Sequence, residues 1–171
     1  EICQEYARAD SRIRYIRQAS NIGAARNWNV VFRESRGIYF KWASANDICS
    51  PDLLDRCKRV LDARTDVVLC YGRTMLVDEI GAPIQEYEDR LNIQEDLPSE
   101  RFRKLISNIR LNNAQAGLFR SSTLRCTALE GVYRGSDVTL MAELSLYGKF
   151  VEIPAILFQR RIAPDASTIA M

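Results

Sequence analysis

Histidine is absent from this chain. No Ser-His or Cys-His nucleophilic pair can therefore form within it, and any metal must be held by carboxylates, amides, carbonyls or water. Cysteine is scarce and unpatterned: Cys3, Cys49, Cys57, Cys70 and Cys126 are odd in number, widely spaced and never arranged C-x-x-C. Such usage points to reduced thiols in a cytoplasmic setting, most of them buried as small hydrophobes. No apolar run approaches the length of a membrane span. The glycine patterns of dinucleotide and P-loop sites are missing as well, which leaves a Rossmann binder of another nucleotide without support. Neither sign of charge dominates, since 24 Lys and Arg face 22 Asp and Glu for a net +2. Bulk charge thus singles out no polyanionic partner, and nucleic acid is not expected.

What remains is an ordinary globular composition, 47% apolar and 27% charged over 171 residues. A chain of that size suits a single domain and buries roughly 70% of the surface its unfolded form exposes. Ile2 to Ala9 reads as a helix, and Arg12 to Arg17 alternates polar and apolar residues as a half-exposed strand does. Ala24, Ala25, Trp28, Val31 and Phe32 recur at helical spacing, so a helix starts near Asn21 and ends near Gly37. Small residues at its start let an anion approach the free N-H groups.

Gly37 to Asp52 is the stretch around which the rest is organised. Ile38 to Trp42 reads as a buried strand, which runs through small residues to the polar pair Asn46-Asp47. Ser50-Pro51 then opens a helix with the stripe Leu53, Leu54, Cys57, Val60 and Leu61. In an open α/β sheet the ligand crevice lies beyond the carboxyl ends of the strands, where this polar pair is delivered. Val67 to Tyr71, extending toward Val77, has the continuous apolar character of a strand covered on both faces. Ala82 to Ser99 is charged and polar and is expected as a flexible surface loop, a flap beside the substrate. Glu100 to Ile109 reads as a helix, Ala116 to Arg120 as a strand and Ser121 to Cys126 as a short helix. A last helix starts at Ser136-Asp137 and closes at Gly148. Phe150 to Ile153 and Ile156 to Arg160 read as strands, and Ala163 to Met171 as a fraying tail.

These landmarks together resemble the family-two glycosyltransferases with the GT-A fold. The segments that carry the resemblance are Arg12-Ile-Arg-Tyr, Asn21-Ile-Gly-Ala-Ala-Arg-Asn, and Arg36-Gly-Ile-Tyr-Phe-Lys-Trp leading to Asn46-Asp47. Asp66-Val-Val-Leu-Cys-Tyr, Asp78-Glu-Ile-Gly, Gly117-Leu-Phe-Arg, Gly135-Ser-Asp-Val and Leu157-Phe-Gln-Arg-Arg continue it. Each is weak alone; their order and spacing are specific. The implied fold is an incomplete GT-A sheet, Rossmann-like and flanked by helices. The chain matches the C-terminal three-quarters of such a domain, with Glu1 falling beyond the family's first strand, helix and second strand. A sheet lacking that first strand is expected to have a hole near its middle. Residues upstream of Glu1, rearrangement of the truncated chain, or pairing with another copy as a homodimer, would fill it.

The resemblance also implies function: transfer of a sugar from a nucleotide-sugar donor to an acceptor hydroxyl by metal-assisted inversion. Asp47 is the implied ligand of Mg²⁺ or Mn²⁺ bridging the diphosphate, with Asn46 a neutral neighbour where the family carries an acid. Asp137 matches the carboxylate that takes the acceptor proton. Asn21, Gly23 and Arg26 match the segment holding the donor, where Arg26 pairs with a phosphate, and Arg161 ends a basic pair that meets phosphate. Ala163 stands where relatives carry a histidine. The implied location is cytoplasmic, or the inner face of a membrane. Taken alone, an Asn-Asp pair after a strand is the sequence of a turn, and Asp137 that of a carboxylate facing a helix dipole. The rival reading of the whole chain is a truncated, non-catalytic module of the same scaffold that self-associates or binds a partner.

Overall fold

The structure, a computed structural model, describes residues 1–162. Its helices are α1 (Ile2–Ala9), α2 (Ala24–Arg33), α3 (Leu53–Ala63), α4 (Pro98–Asn108), α5 (Ser121–Leu124) and α6 (Ser136–Tyr147). Its strands are β1 (Tyr39–Phe40), β2 (Ile48–Cys49), β3 (Val67–Val77), β4 (Pro83–Tyr87), β5 (Leu118–Arg120) and β6 (Lys149–Arg161). They form one sheet in the order β1-β5-β3-β6-β2, and β4 pairs with β3 off this path.

The parallel pair β3 and β6 is the spine, and its sequence explains why. Val67 to Tyr71 is buried on both faces. Val67 and Cys70 pack with Leu53, Cys57 and Leu61 of α3. Leu69 and Tyr71 pack the other way, with Phe119, Phe150 and the Leu140, Met141 and Leu144 stripe of α6. Phe150 is wholly buried, so cutting it to alanine would cost about 3–5 kcal/mol. The register with β3 jumps from Gly72↔Ile153 to Arg73↔Ile156, leaving Pro154 in the bulge where no ladder N-H is required. The two short strands expected here are thus one strand with a kink.

Several expectations are corrected. The sheet has no hole at its centre: β5 lies between β1 and β3, and β1 stands at the sheet's end. Arg12 to Arg17 forms no strand; it is an exposed run with no strand beside it among the described residues, tied down where Arg14 pairs with Glu34 at the end of α2. The expected loop 82–99 contains β4 and a buried anchor. Asp89, Leu91 and Ile93 alternate inward while Arg90, Asn92 and Gln94 face out, and Ile93 bridges Phe150. All five cysteines are free, but only Cys57 and Cys70 are buried. Ser50 is not the N-cap of α3; its hydroxyl donates to Asp52, which holds that position. The tail from Ala163 onward lies outside the described residues.

Candidate active site

Asp137 owes its position to the turn before it. Gly135 takes a left-handed φ of 82° and α6 begins at the next residue, so Asp137 falls in the first turn of a 12-residue helix. Asn112 Nδ2 donates to Asp137 Oδ2 at 3.1 Å. Asn112 itself sits in the left-handed region at φ 56°, a conformation asparagine tolerates better than most residues.

Behind this pair lies a buried polar network. Gln115 Nε2 donates to Glu130 Oε1 at 2.6 Å, and the Ser136 hydroxyl donates to Glu130 Oε2 at 2.5 Å. The Asn29 side chain closes the set, donating to the Glu130 carbonyl at 2.8 Å and accepting its N-H at 3.0 Å. Asn112 Nδ2 also approaches Gln115 Oε1 at 3.4 Å, which links Asp137 to the rest. In a low-dielectric interior the bonds of such a network specify one arrangement strongly, because breaking any of them leaves a further buried polar atom unpaired.

Asp47 is held differently. It is half-buried, and its Oδ1 accepts the main-chain N-H of Arg161 at 3.1 Å. The Arg161 guanidinium donates to the Asn46 carbonyl at 3.2 Å and to that of Glu79. The short strand β2, paired at Ile48↔Gln159 and Cys49↔Phe158, pins the loop's far end to β6.

Asp47 and Asp137 line one cavity of about 240 Å³, together with Lys41, Asn112, Asn113 and Arg160. Trp28 and Trp42 also line it, stacked with ring centroids 5.4 Å apart. Arg160 donates to Leu111 O and Asn113 Oδ1, both at 2.7 Å, and Lys41 Nζ donates to Trp42 O at 2.8 Å. Two deeply buried side-chain atoms on this wall, Asn112 Oδ1 and Asn113 Nδ2, have no partner. Behind Asn113, the Asp89 carboxylate accepts its N-H at 2.9 Å, and burial pushes that carboxyl up to about 6. A larger cavity of about 540 Å³ lies on the other side of Asp137 and shares Trp28, Gln115 and Asp137 with the first.

The structure therefore brings Asp47 and Asp137 together and places the other expected residues elsewhere. Asn21 and Gly23 shape the entry to α2: Asn21 Oδ1 accepts the Gly23 N-H at 2.9 Å, and Gly23 is the N-cap at φ 79°. Neither they nor the exposed Arg26 lines either cavity; their neighbours Ala24 and Ala25 line the larger one. Asn46 contributes its carbonyl to Arg161. Of the two adjacent arginines, Arg160 lines the smaller cavity, while Arg161 braces the Asp47 loop. Sequence reasoning missed Glu130, Lys41 and the amides of Asn112, Asn113 and Gln115. The run Asn112-Asn113-Ala-Gln115 was a visible cluster of amides ahead of a strand; Glu130 gave no local signal, because its partner Asn29 lies 101 residues away.

Among the described residues no three His, Cys, Asp or Glu side chains gather as a metal site. Asp47 is the one carboxylate at its end of the cavity.

Helices pack on both faces of this mixed sheet, the arrangement of an incomplete GT-A fold. Residues 1–130 match the model of Glycosyl transferase family 2, and the chain belongs to that family. It is also similar to an uncharacterized glycosyltransferase of Methanocaldococcus jannaschii, with 28% identity over 88 residues. That match covers 52% of this chain and 30% of the relative, so it spans less than a third of the relative's length. The stretch matched to the family contains Asp47 and stops short of Asp137, Arg160 and Arg161. No helix among the described residues is long and apolar enough to cross a membrane.

Proposed function

We propose that this domain transfers a sugar from a nucleoside-diphosphate sugar to an acceptor hydroxyl with inversion at the anomeric carbon. The observation that carries the reading is the shared cavity, lined by the two carboxylates Asp47 and Asp137 and by the cations Lys41 and Arg160. Asn112 engages Asp137 Oδ2 and leaves Oδ1 without a partner among the described residues. The acceptor O-H gives its proton to Oδ1, its oxygen forms a bond to the anomeric carbon, and the carbon–oxygen bond to the diphosphate breaks. The electron pair leaves with the diphosphate, and Lys41 and Arg160 face the charge that develops.

Mg²⁺ or Mn²⁺ suits Asp47 on chemical grounds. Mg²⁺ commonly takes one or two carboxylates, with phosphates and waters completing its shell, so a single aspartate beside a diphosphate is an adequate donor set. Such a cation, when bound, neutralises charge on the leaving group. Asp47 Oδ1 accepts the Arg161 N-H at 3.1 Å, and the carboxylate's remaining lone pairs would be available to hold the cation.

Two variants test this reading by nucleoside-diphosphate release over a panel of donor sugars with and without Mn²⁺. Asp137→Asn should lower turnover about 10²–10⁴-fold while leaving donor binding nearly unchanged. Asp47→Asn should weaken donor binding chiefly when Mn²⁺ is present. Turnover by Asp137→Asn within tenfold of the parent removes the base, and absence of binding by every donor at millimolar concentration, with or without the cation, removes the function.

A further inference from the structure

The larger cavity abuts the carboxylate proposed as base, which makes it the place for the acceptor, and the character of its walls limits what an acceptor can be. Ala24 and Ala25 from the first turn of α2, Trp28, Val132 and Tyr133 supply its apolar surface. Four polar side chains also line it, yet most of their capacity is spent. Both Glu130 oxygens are taken, by Gln115 and by Ser136. The Ser136 hydroxyl proton goes to Glu130, and the Gln115 oxygen faces Asn112. Asp137 has given one oxygen to Asn112. Among the lining side chains this leaves Asp137 Oδ1, the Tyr133 hydroxyl and the Trp28 indole N-H as polar groups with no recorded partner.

Val132 and Tyr133 are 71% and 58% exposed, large apolar side chains held open to solvent at the cavity. The backbone is fitted to that placement. A Cβ at Gly131 would overlap the Tyr133 ring, so the glycine is what lets the ring lie against the chain. A volume of about 540 Å³ falls within the range of small-molecule sites.

Resting on the transfer reading above, we propose that this cavity is the acceptor subsite and that its acceptor is a hydrophobic alcohol: one hydroxyl toward Asp137, carried on an alkyl or aryl body against Trp28, Val132 and Tyr133. A sugar acceptor would bring several hydroxyls to a wall whose side chains are mostly apolar and offer few free hydrogen-bonding atoms. Each hydroxyl stripped of water without a new partner is penalised. An apolar body forfeits nothing there and gains with every Å² removed from water.

Binding of naphthylmethanol and of methyl glucoside to the full chain, measured by isothermal titration or ligand-observed NMR, tests this without turnover. The aryl alcohol should bind at least about tenfold more tightly than the glucoside. Val132→Ser and Tyr133→Ser, both at exposed positions, should each weaken it roughly three- to tenfold. Gly131→Ala should do the same by displacing the ring. Binding of the glucoside as tight as that of the alcohol, or alcohol binding indifferent to all three substitutions, overturns the proposal. The parent protein separates the two readings: alcohol binding with no transfer on any donor leaves the subsite standing and the transfer reading fallen. Transfer to sugars in preference to hydrophobic alcohols does the reverse.

Discussion

The two carboxylates that meet across the smaller cavity are held by opposite means. Asp137 stands on a 12-residue helix and is braced through Asn112 and Gln115 by a buried set of hydrogen bonds centred on Glu130. Asp47 sits on an exposed loop fastened to β6 through a main-chain N-H and an exposed guanidinium. Buried, satisfied networks open only with much of the fold, whereas solvent-exposed loops with few packed contacts open at low cost. One end of the site is therefore set before any ligand arrives, and the other is soft enough to close on one. That division suits a reaction in which a proton acceptor must be aimed in advance while a flexible diphosphate must be gathered.

Removing the centre of the rigid end should have the largest effect. Glu130→Ala orphans Gln115 Nε2 and the Ser136 hydroxyl, at about 1–3 kcal/mol each. We expect a fall of roughly 10 °C in Tm, read by calorimetry, and loss of turnover even below the transition. Unchanged stability would erase the contrast between the two ends.

Asp89, behind the Asn113 wall, sharpens the same point. Burial raises its carboxyl from 3.8 to about 6, so over that interval the folded protein keeps a proton that the unfolded chain has lost. Its contribution to stability is complete below about pH 4 and is lost as the pH rises through about 6. Asp89→Asn should therefore gain on the parent by on the order of 2–3 kcal/mol between pH 4 and pH 7, measured by urea unfolding at both. A constant difference across that window would show that the carboxylate is better solvated than its burial implies.

The smallest effect belongs to the soft end. Arg161→Ala removes the guanidinium from the Asn46 carbonyl but leaves the main-chain bond to Asp47 in place. Stability should change by less than about 0.5 kcal/mol, while the KM for donor rises a few-fold at constant kcat. A drop in kcat instead would mean that the loop orients the reacting centre.

The sequence made the periodic parts of this molecule legible and left the non-local ones obscure. The α6 stripe of Leu140, Met141 and Leu144 and the apolar run Val67 to Tyr71 announce themselves, because burial on a helix face or in a central strand leaves a period to read. Arg12 to Arg17 showed that alternation alone is not enough: a strand needs a neighbour to pair with. At 89–93 the inward-facing Asp89, Leu91 and Ile93 are masked by charged and polar neighbours that point outward, so the period is hard to read there. At the site, Asp47 and Asp137 could be named through a resemblance, but their supports could not. Glu130 is tied to Asn29 across 101 residues, and no local pattern records a contact of that range. The choice between Arg160 and Arg161 turned on which of two neighbours in a strand faces inward, which a single bulge at Pro154 is enough to reverse.

The stacked indoles have one more consequence. Trp28 and Trp42 are the chain's only tryptophans, and both line the smaller cavity. The protein's tryptophan emission therefore comes entirely from the wall of that cavity. Occupancy of that space is readable as a spectral change in the unlabelled molecule, with no dye to attach and no background from indoles elsewhere.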